Sequence, residues 1–561
     1  MTETTAHKSA AQLLQQGLFH HRQGQIGLAM ERYTEVLKND PDNGEALYYV
    51  AVVCCQEGQY TQGAELARKA IANGLNTAKV HNLLGQALDR LGEPLEAIKS
   101  FDKAIAVDPD FADAHGNRAN ILVEAGLAEE ALKSFARALA LNPNSPSDLV
   151  NRGAFLQDLG RHEEALADYD KALTVAPGAP NILVNKANAL SMLGRFAEAE
   201  AVYDAVLKAQ PKNALAMAHR GLAIKHQGRY AEALAALEQS IALEPADANT
   251  AVALGHLLML LGDWRKGFPY YEQRVDMVQP PYAPIAEPKW QGEPPRDFRL
   301  VLVCEQGLGD NVQMARYASL LAGRGYPVWL LTREALAPLM RTLPGVERVI
   351  TSADELKSDP RRVLWAPLMS LPRLLHLTPN AVPAQEPYLH AEPERVARWA
   401  EKLKTTGDDK ALKVGIVWQG VTAGSAAPLA ALAPLAGIDG VRLISLQKQP
   451  DPSIAQVPFA SKIERVLDET DLGAEGLLET AALMANLDVV VSIDSMPAHL
   501  AGALGKRVLL ALPYVPDWRW LLDRADTPWY PGTTIFRQGA DRQWQPVFAA
   551  IAARLQDSVT R

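Results

Sequence analysis

Glycine recurs every 34 residues through the first half of the chain, at Gly24, Gly58, Gly92, Gly126, Gly160, Gly194, Gly228 and Gly262. Proline keeps the same step at Pro41, Pro109, Pro143, Pro177, Pro211 and Pro245, with Leu75 in the one gap. Seven residues before each glycine stands another small residue: Gly17, Ala51, Gly85, Ala119, Gly153, Ala187, Gly221 or Gly255. A period of this length implies stacked units that bury their apolar faces on their neighbours. The spacing predicts two helices per unit, crossing at the small residues, with glycine ending the first and proline the second. Tyr33, Phe101, Phe135, Tyr169, Tyr203 and Tyr271 are expected to fill the space between neighbouring units.

These residues resemble the tetratricopeptide (TPR) family, with eight repeats over residues 9–275. The resemblance implies an all-α superhelix with a concave surface. Asn117, Asn151 and Asn185 hold one position in three consecutive repeats, and Asn120 and Asn188 add a second row three residues on. Residues three apart on a helix share a face. An amide both donates and accepts, so such rows suit an extended peptide backbone of any sequence. They resemble the asparagine ladder of the O-GlcNAc transferase TPR domain, which implies a peptide-binding role; polar filling of the first helix is the alternative. Gln15 and His219 take the slot in other repeats, so the ladder is confined to repeats four to six.

After Arg274 the period stops, and six prolines fall within Val275–Phe298. That density predicts an extended linker over 276–297. Beyond it, short apolar runs alternate with helical segments, the pattern of α/β layers. Strands are expected at Leu300–Cys304, Val328–Leu331, Val346–Ile350, Val363–Trp365, Val414–Trp418, Arg442–Leu446, Val489–Ile493 and Arg507–Ala511. A helix near residue 405 divides two Rossmann-like domains, 298–405 and 406–561.

EQGLGDNVQMARY (305–317) is similar to the start of the catalytic region in TPR-linked glycosyltransferases and, more distantly, in ADP-heptose heptosyltransferases. The likeness runs on through VGIVWQG, SLQKQ and above all ETAALMANLDVVVSIDSMPAHLAGALGK. It implies a GT-B fold, two facing Rossmann-like domains with the donor nucleotide on the second, and a catalytic aspartate at Asp310. A carboxylate there can take a proton from an acceptor hydroxyl; an acidic helix cap is the competing reading. Gln313 and Arg316 follow three and six residues on, as acceptor-side groups.

The stretch Asp494–His499 ends a strand and opens a helix. Ser495 is expected to cap it, Pro497 suits its first turn, and the free N–H groups favour an anion. His499 would add a hydrogen bond or a charge, and Lys448 a charge, to donor binding. The alternative is a capped βα turn with a packed histidine. The aromatic run DWRWLLDRADTPWYP (517–531) is expected to be structural and cleft-lining. With no D-x-D at a strand end and no His/Cys cluster of metal spacing, no metal is expected, and no cofactor beyond a nucleotide-activated sugar as co-substrate. One departure stands out. The relatives carry Asn, His, Asp and Arg after VGIVWQG; here VTAGSAAPLAALAPL has no basic residue.

A net charge of −9 argues against nucleic-acid and anionic-lipid surfaces. Three scattered cysteines predict reduced thiols in a cytoplasm. No signal peptide or membrane span is expected. The function expected is protein O-glycosyl transfer to Ser or Thr, the acceptor held by the repeats. Flagellin is the implied acceptor and a CMP-activated nonulosonic acid an implied donor, after the bacterial flagellin glycosyltransferases the layout resembles. The alternatives are a TPR scaffold with a degenerate GT-B half, and a saccharide-directed heptosyltransferase-like enzyme. Repeat surfaces are also open to homodimerisation.

Overall fold

The computed structural model describes residues 9–277, 285–384, 387–420, 426–448, 451–467 and 475–559. Part of the expected linker (278–284) and the first residues of the segment without basic groups (421–425) lie outside these. The chain forms two compact units, Met1–Pro211 and Lys212–Arg561. The division falls between repeats six and seven, not at residue 275 where the period ends.

The first unit holds six helix pairs, from Ala10–Arg22 with Ile26–Asn39 to Pro180–Met192 with Phe196–Ala209. All eight repeat glycines lie just past helix A at φ of 70–89°, the left-handed cap that costs any other residue about 1–2 kcal/mol. The aromatics pack differently from the expectation. Three of them lie on the small residue of their own repeat: a β-carbon at Gly17 would stand 2.4 Å from the Tyr33 ring, one at Gly85 2.6 Å from Phe101, and one at Gly153 2.7 Å from Tyr169. Tyr33 covers Gly17 and also stacks on Tyr49 of the next repeat, centroids 5.2 Å apart.

The second unit starts with repeat 7 (Ala214–His226, Tyr230–Leu243) and repeat 8 (Ala248–Leu260, Trp264–Tyr271). Two parallel sheets follow. The first contains β1 (Phe298–Val303), β2 (Val328–Leu331), β3 (Arg348–Ile350) and β4 (Arg362–Pro367) in the order β3-β2-β1-β4. The second contains β5 (Leu412–Val417), β6 (Val441–Ser445), β7 (Ile463–Glu464), β8 (Val489–Ile493), β9 (Val508–Leu512) and β10 (Thr533–Arg537) in the order β10-β9-β8-β5-β6-β7. Eight strands fall where the apolar runs put them, to within a few residues. The two-residue β7 and the edge strand β10, TTIFR, carry too few apolar residues to stand out. Of the linker, Trp290 is buried and donates its backbone N–H to Trp365 of β4 at 2.7 Å.

The helices that position the site are α1 (Leu308–Met314) after β1, α2 (Pro393–Thr406) between the sheets, α3 (Gly476–Ala485), α4 (Met496–Ala503) after β8 and α5 (Gln545–Val559). One apolar core runs through repeats 7 and 8 (Ala218, Leu254, Trp264), the first sheet (Leu300, Leu330) and the second (Val490, Leu510). A tetratricopeptide array thus precedes a parallel-sheet α/β region consistent with GT-B.

Candidate active site

Open parallel sheets bind ligands beyond the carboxyl ends of their strands, where the strand order reverses. The first sheet reverses between β1 and β4, the second between β5 and β8. Both points are occupied by the motifs singled out in the sequence. After β1 the turn Glu305–Gly309 leads into α1, and Gln306 sits at φ 59°, a backbone strain of about 1–3 kcal/mol of the kind found at functional sites. After β8 the chain passes Asp494 and Ser495 into α4.

The two turns touch. A β-carbon at Gly309 would stand 3.1 Å from His499 Cδ2 and 3.3 Å from Met496 Cα. The second glycine of GLG therefore admits α4 against α1. Asp310, in the first turn of α1, accepts the Gly307 N–H at 2.9 Å through Oδ2, so the helix-capping reading holds. Its Oδ1 accepts from the Arg519 guanidinium. Arg519 also donates to Gln313 Oε1 at 2.8 Å and to Asp517 Oδ1 at 2.8 Å. Burial pulls the Arg519 pKa down, but Asp517 and Asp310 push it above its ordinary value, so this buried guanidinium stays charged.

Asp494 faces the same cluster. Burial first, then Asp517, raise its carboxyl to about 7 against the opposing pull of the Trp520 indole and Arg519. Solvent still reaches its side chain, 23% exposed, as it does that of Asp310 at 23%. His499 is buried, stacks on Trp520 with centroids 5.4 Å apart, and shares a hydrogen bond with the Tyr530 hydroxyl at 3.0 Å. Burial, with Arg519 and Arg316 nearby, lowers it to about 3. That direction favours the hydrogen-bonding over the charged of the two roles expected for it, and its Nε2 lies 3.8 Å from Asp494 Oδ1.

Other expectations change as well. Ser495 takes the N-cap position, but its side chain makes no capping bond; its Oγ pairs with Ser492 Oγ at 2.9 Å. Arg316 is buried and committed: it donates to the Trp529 carbonyl at 2.6 Å and lies 4.8 Å over both Tyr388 and Tyr530. It ties α1 to the second sheet's loops and lines no acceptor surface. Gln313 is fully buried, and its amide nitrogen has no partner among the described residues. Lys448 follows β6, half-buried, its pKa lowered by burial. Asn188 accepts the Tyr203 hydroxyl at 2.5 Å and Asn117 donates to Asn82 at 3.0 Å, so parts of the ladder brace the repeats themselves. Asn151 is exposed, and Asn120, Asn185 and Asn117 are half-buried. Asn117 and Asn120 also border a groove of about 410 Å³ in the first unit, floored by Leu83, Phe101 and Ile121.

Sequence reasoning missed Arg519, Asp517 and the contribution of repeat 8. The aromatic run does pack structurally, but on the repeats: Trp264 stacks on Trp529 at 5.3 Å and meets Trp518 edge-on at 5.8 Å. The Tyr271 hydroxyl donates to Gln306 Oε1 at 3.0 Å, and buried Arg274 pairs with Glu305 at 2.5 Å. His256, on helix A of repeat 8, has its ring 5.0 Å from that of Tyr271; burial lowers it to about 4 despite the opposing pull of Asp517. His256 occupies the second asparagine row's slot, and D-x-R follows a strand end at 517–519. Those were the available signals.

Known proteins resemble this chain in both of its halves. Residues 20–87, 82–146 and 156–220 match tetratricopeptide repeat families. Residues 441–512, from β6 to β9, match glycosyltransferase family 9 (heptosyltransferase); Lys448, Asp494, Ser495 and His499 lie inside that match and Asp310 outside it. Protein FlbA of Caulobacter vibrioides is 28% identical over 327 residues, 54% of this chain and 54% of FlbA, so the chain spans about half the length of the curated relative it matches. Among solved structures, YrrB, a TPR protein with an unusual peptide-binding site, is 23% identical over 34% of this chain and 98% of its own, with a TM-score of 0.31. Pseudomonas aeruginosa pilF is 21% identical over 37% of this chain and 96% of its own, at 0.34. The chain therefore joins tetratricopeptide repeats to a heptosyltransferase-like segment, the layout of a TPR-linked glycosyltransferase. No helix among the described residues is long and apolar enough to cross a membrane.

Proposed function

We propose that this chain transfers a sugar from a nucleotide-activated donor to a Ser or Thr hydroxyl of a protein acceptor in the cytoplasm, with flagellin the leading acceptor. One observation carries the reading. The reversal points of both sheets meet at Gly309 and α4, and Asp310, Asp494 and Asp517 converge there around a single buried arginine. Such a cluster of perturbed groups at a ligand-binding edge marks a site of proton transfer.

In the reaction the acceptor oxygen attacks the anomeric carbon as the bond from that carbon to the phosphate oxygen breaks. The electron pair leaves on the phosphate, and the hydroxyl proton passes to a carboxylate. Asp310 has both oxygens engaged, by Arg519 and by the Gly307 N–H. Burial and the Asp517 charge raise the Asp494 carboxyl above its ordinary value, towards the neutral range in which a general base works best. We therefore give proton acceptance to Asp494, and to Asp310 the orientation of Arg519. Lys448 and the first turn of α4 face the phosphate, with protein groups rather than a metal carrying its charge. The groove bordered by Asn117 and Asn120 receives the acceptor chain. Because the segment after β5 has no Lys or Arg before Arg442, a donor with one phosphate, such as a CMP-sugar, suits the site better than a diphosphate.

That missing charge also favours the second reading, a repeat scaffold whose α/β half is idle. Intact mass of a flagellin acceptor, after incubation with the full chain and a CMP-sugar or nucleoside-diphosphate sugar, separates the two. The transfer reading expects one or more sugar increments, lost in Asp494→Asn. An unmodified acceptor with every donor class leaves the scaffold.

A further inference from the structure

Repeat 8 has no successor to pack on. Its helix B, Trp264–Tyr271, rests instead on the short helix Leu371–Leu374, which follows β4. Beside that contact lies a cavity of about 660 Å³, a size typical of small-molecule sites. None of the residues given a part in sugar transfer lines it.

The floor of the cavity is apolar. Trp264 and Phe268 are buried beneath it, and Leu374 and Leu377 extend it from the other side. The rim is basic: Arg265 and Arg373 line it, with His376 beside them, its backbone in the left-handed region at φ 54°. Arg265 makes no hydrogen bond or ion pair among the described residues, whereas its neighbour Lys266 pairs with Asp263 at 3.3 Å. Glu272 is the one carboxylate among the lining residues, and it is already engaged. It accepts the Ser370 hydroxyl at 2.9 Å and lies 3.5 Å from Arg274. Its hold on Arg373 is loose, with Nη2 at 3.4 Å and Nε at 3.2 Å but out of line for a hydrogen bond. The cavity thus keeps cationic donors to spare in a chain of net charge −9.

A bare inorganic anion would match the rim and leave the floor uncovered; a neutral apolar molecule would do the reverse. A guanidinium binds a carboxylate through parallel N–H bonds, and apolar surface taken out of water adds to affinity. We propose that this cavity binds a small organic acid with an apolar body, its carboxylate on Arg265 and Arg373 and its body over Trp264, Phe268, Leu374 and Leu377. The incoming carboxylate replaces Glu272 on Arg373, while Ser370 and Arg274 keep Glu272 satisfied. The site does not depend on the transfer reading.

The test is calorimetric titration of the full chain, as wild type and Arg265→Glu, with naphthaleneacetate, naphthaleneacetamide and acetate. The first probe carries both features, the second only the apolar body and the third only the charge. The wild type is expected to bind naphthaleneacetate at one site, at least about tenfold more tightly than either of the others. Arg265→Glu should lose at least about tenfold in affinity for the acid with affinity for the amide unchanged. Hydrogen exchange of the wild type with the acid should slow in residues 264–272 and 371–378. No saturable binding of the acid, equal affinity for acid and amide, an unchanged affinity in Arg265→Glu, or protection confined to other segments overturns the assignment. Should Arg265→Glu fail to fold, Arg265→Gln replaces it under the same criteria.

Discussion

The two compact units use polar side chains in opposite ways. In repeats 1–6 charge is mostly kept at the surface and repeats with the period, Asp168 paired with Arg152 being a buried exception: Arg161–Glu164 and Arg195–Glu198 are exposed pairs three residues apart in successive repeats, of a kind that adds little stability. In residues 212–561 charge is taken inside. Arg519, Arg316, Arg274, His499 and His256 are surrounded by protein, and the last two are held neutral. Repeat 8 shows the change within one repeat type. Both crossing positions are glycine, so Gly255 and Gly267 bring the helices close enough that a β-carbon at Gly255 would stand 2.7 Å from the Tyr271 nitrogen. Helix B is cut to eight residues with Pro269 inside it. Its aromatics, Trp264, Phe268 and Tyr271, then face Trp518 instead of a ninth repeat. In the proposed function, repeats 1–6 serve recognition, and repeats 7 and 8 belong to the unit that carries the chemistry.

Breaking the tie between repeat 8 and the α/β half should have the largest effect. All ten tryptophans lie beyond residue 211, so tryptophan fluorescence reports the second unit alone, while far-UV circular dichroism weights all the helices. Trp264→Ala should destabilise the fluorescence-detected transition by about 3–5 kcal/mol, and a chain starting at residue 287 should fail to fold. A cooperative fluorescence melt from that fragment would return the boundary to residue 275. Next in size, Arg519→Leu leaves Asp310 and Asp517 without their guanidinium and should cost about 3–5 kcal/mol together with all transfer.

The third expectation concerns pH. Asp494 binds its proton more tightly folded than unfolded. Its contribution to stability is therefore full below about pH 4 and is lost as pH rises towards 7. Asp494→Asn should raise second-unit stability by roughly 1–3 kcal/mol at pH 8 and leave it unchanged at pH 4, as read by denaturant titration of the fluorescence. His499, His256 and His226 act in the reverse sense. Lowered to about 3, 4 and 4, they bind fewer protons folded than unfolded below pH 6.5, so stability falls as pH drops from 6.5 towards 4. Three histidines outweigh one aspartate, and the fluorescence transition should lose stability in that window more steeply than the helical signal of repeats 1–6.

The smallest stability effect is expected where function depends on recognition. The triple variant Asn117→Ala, Asn151→Ala, Asn185→Ala should shift stability by only about 0.5 kcal/mol at Asn151 and Asn185 and by about 1 kcal/mol at Asn117, whose bond to buried Asn82 is lost, yet abolish transfer to protein acceptors. Undiminished transfer would remove the groove from the account.

The fold was largely legible because periodicity is a local property: the 34-residue step gave the helix pairs and the apolar runs gave eight of ten strands. Asp310, Asp494 and His499 were legible because strand ends and helix starts show in the chain. Arg519 was in view within DWRW, but nothing local says that a guanidinium two residues from Asp517 reaches back to Asp310, 209 residues away. The neutrality of His499 was equally hidden, since it follows from burial against Trp520 and from charges on distant segments. His256 was a departure from the repeat, and its meaning lay in its contact with Tyr271, which in turn bonds Gln306 after β1.

Hydrogen exchange of the full chain, with and without the nucleotide that binds it, tests the central claim most directly. The account predicts slower exchange in 305–314, 494–499 and 517–520 and, in the same titration, in helices 214–226 and 248–260, with residues 9–211 unchanged. Protection confined to the α/β segments, with none in repeats 7 and 8, would contradict it.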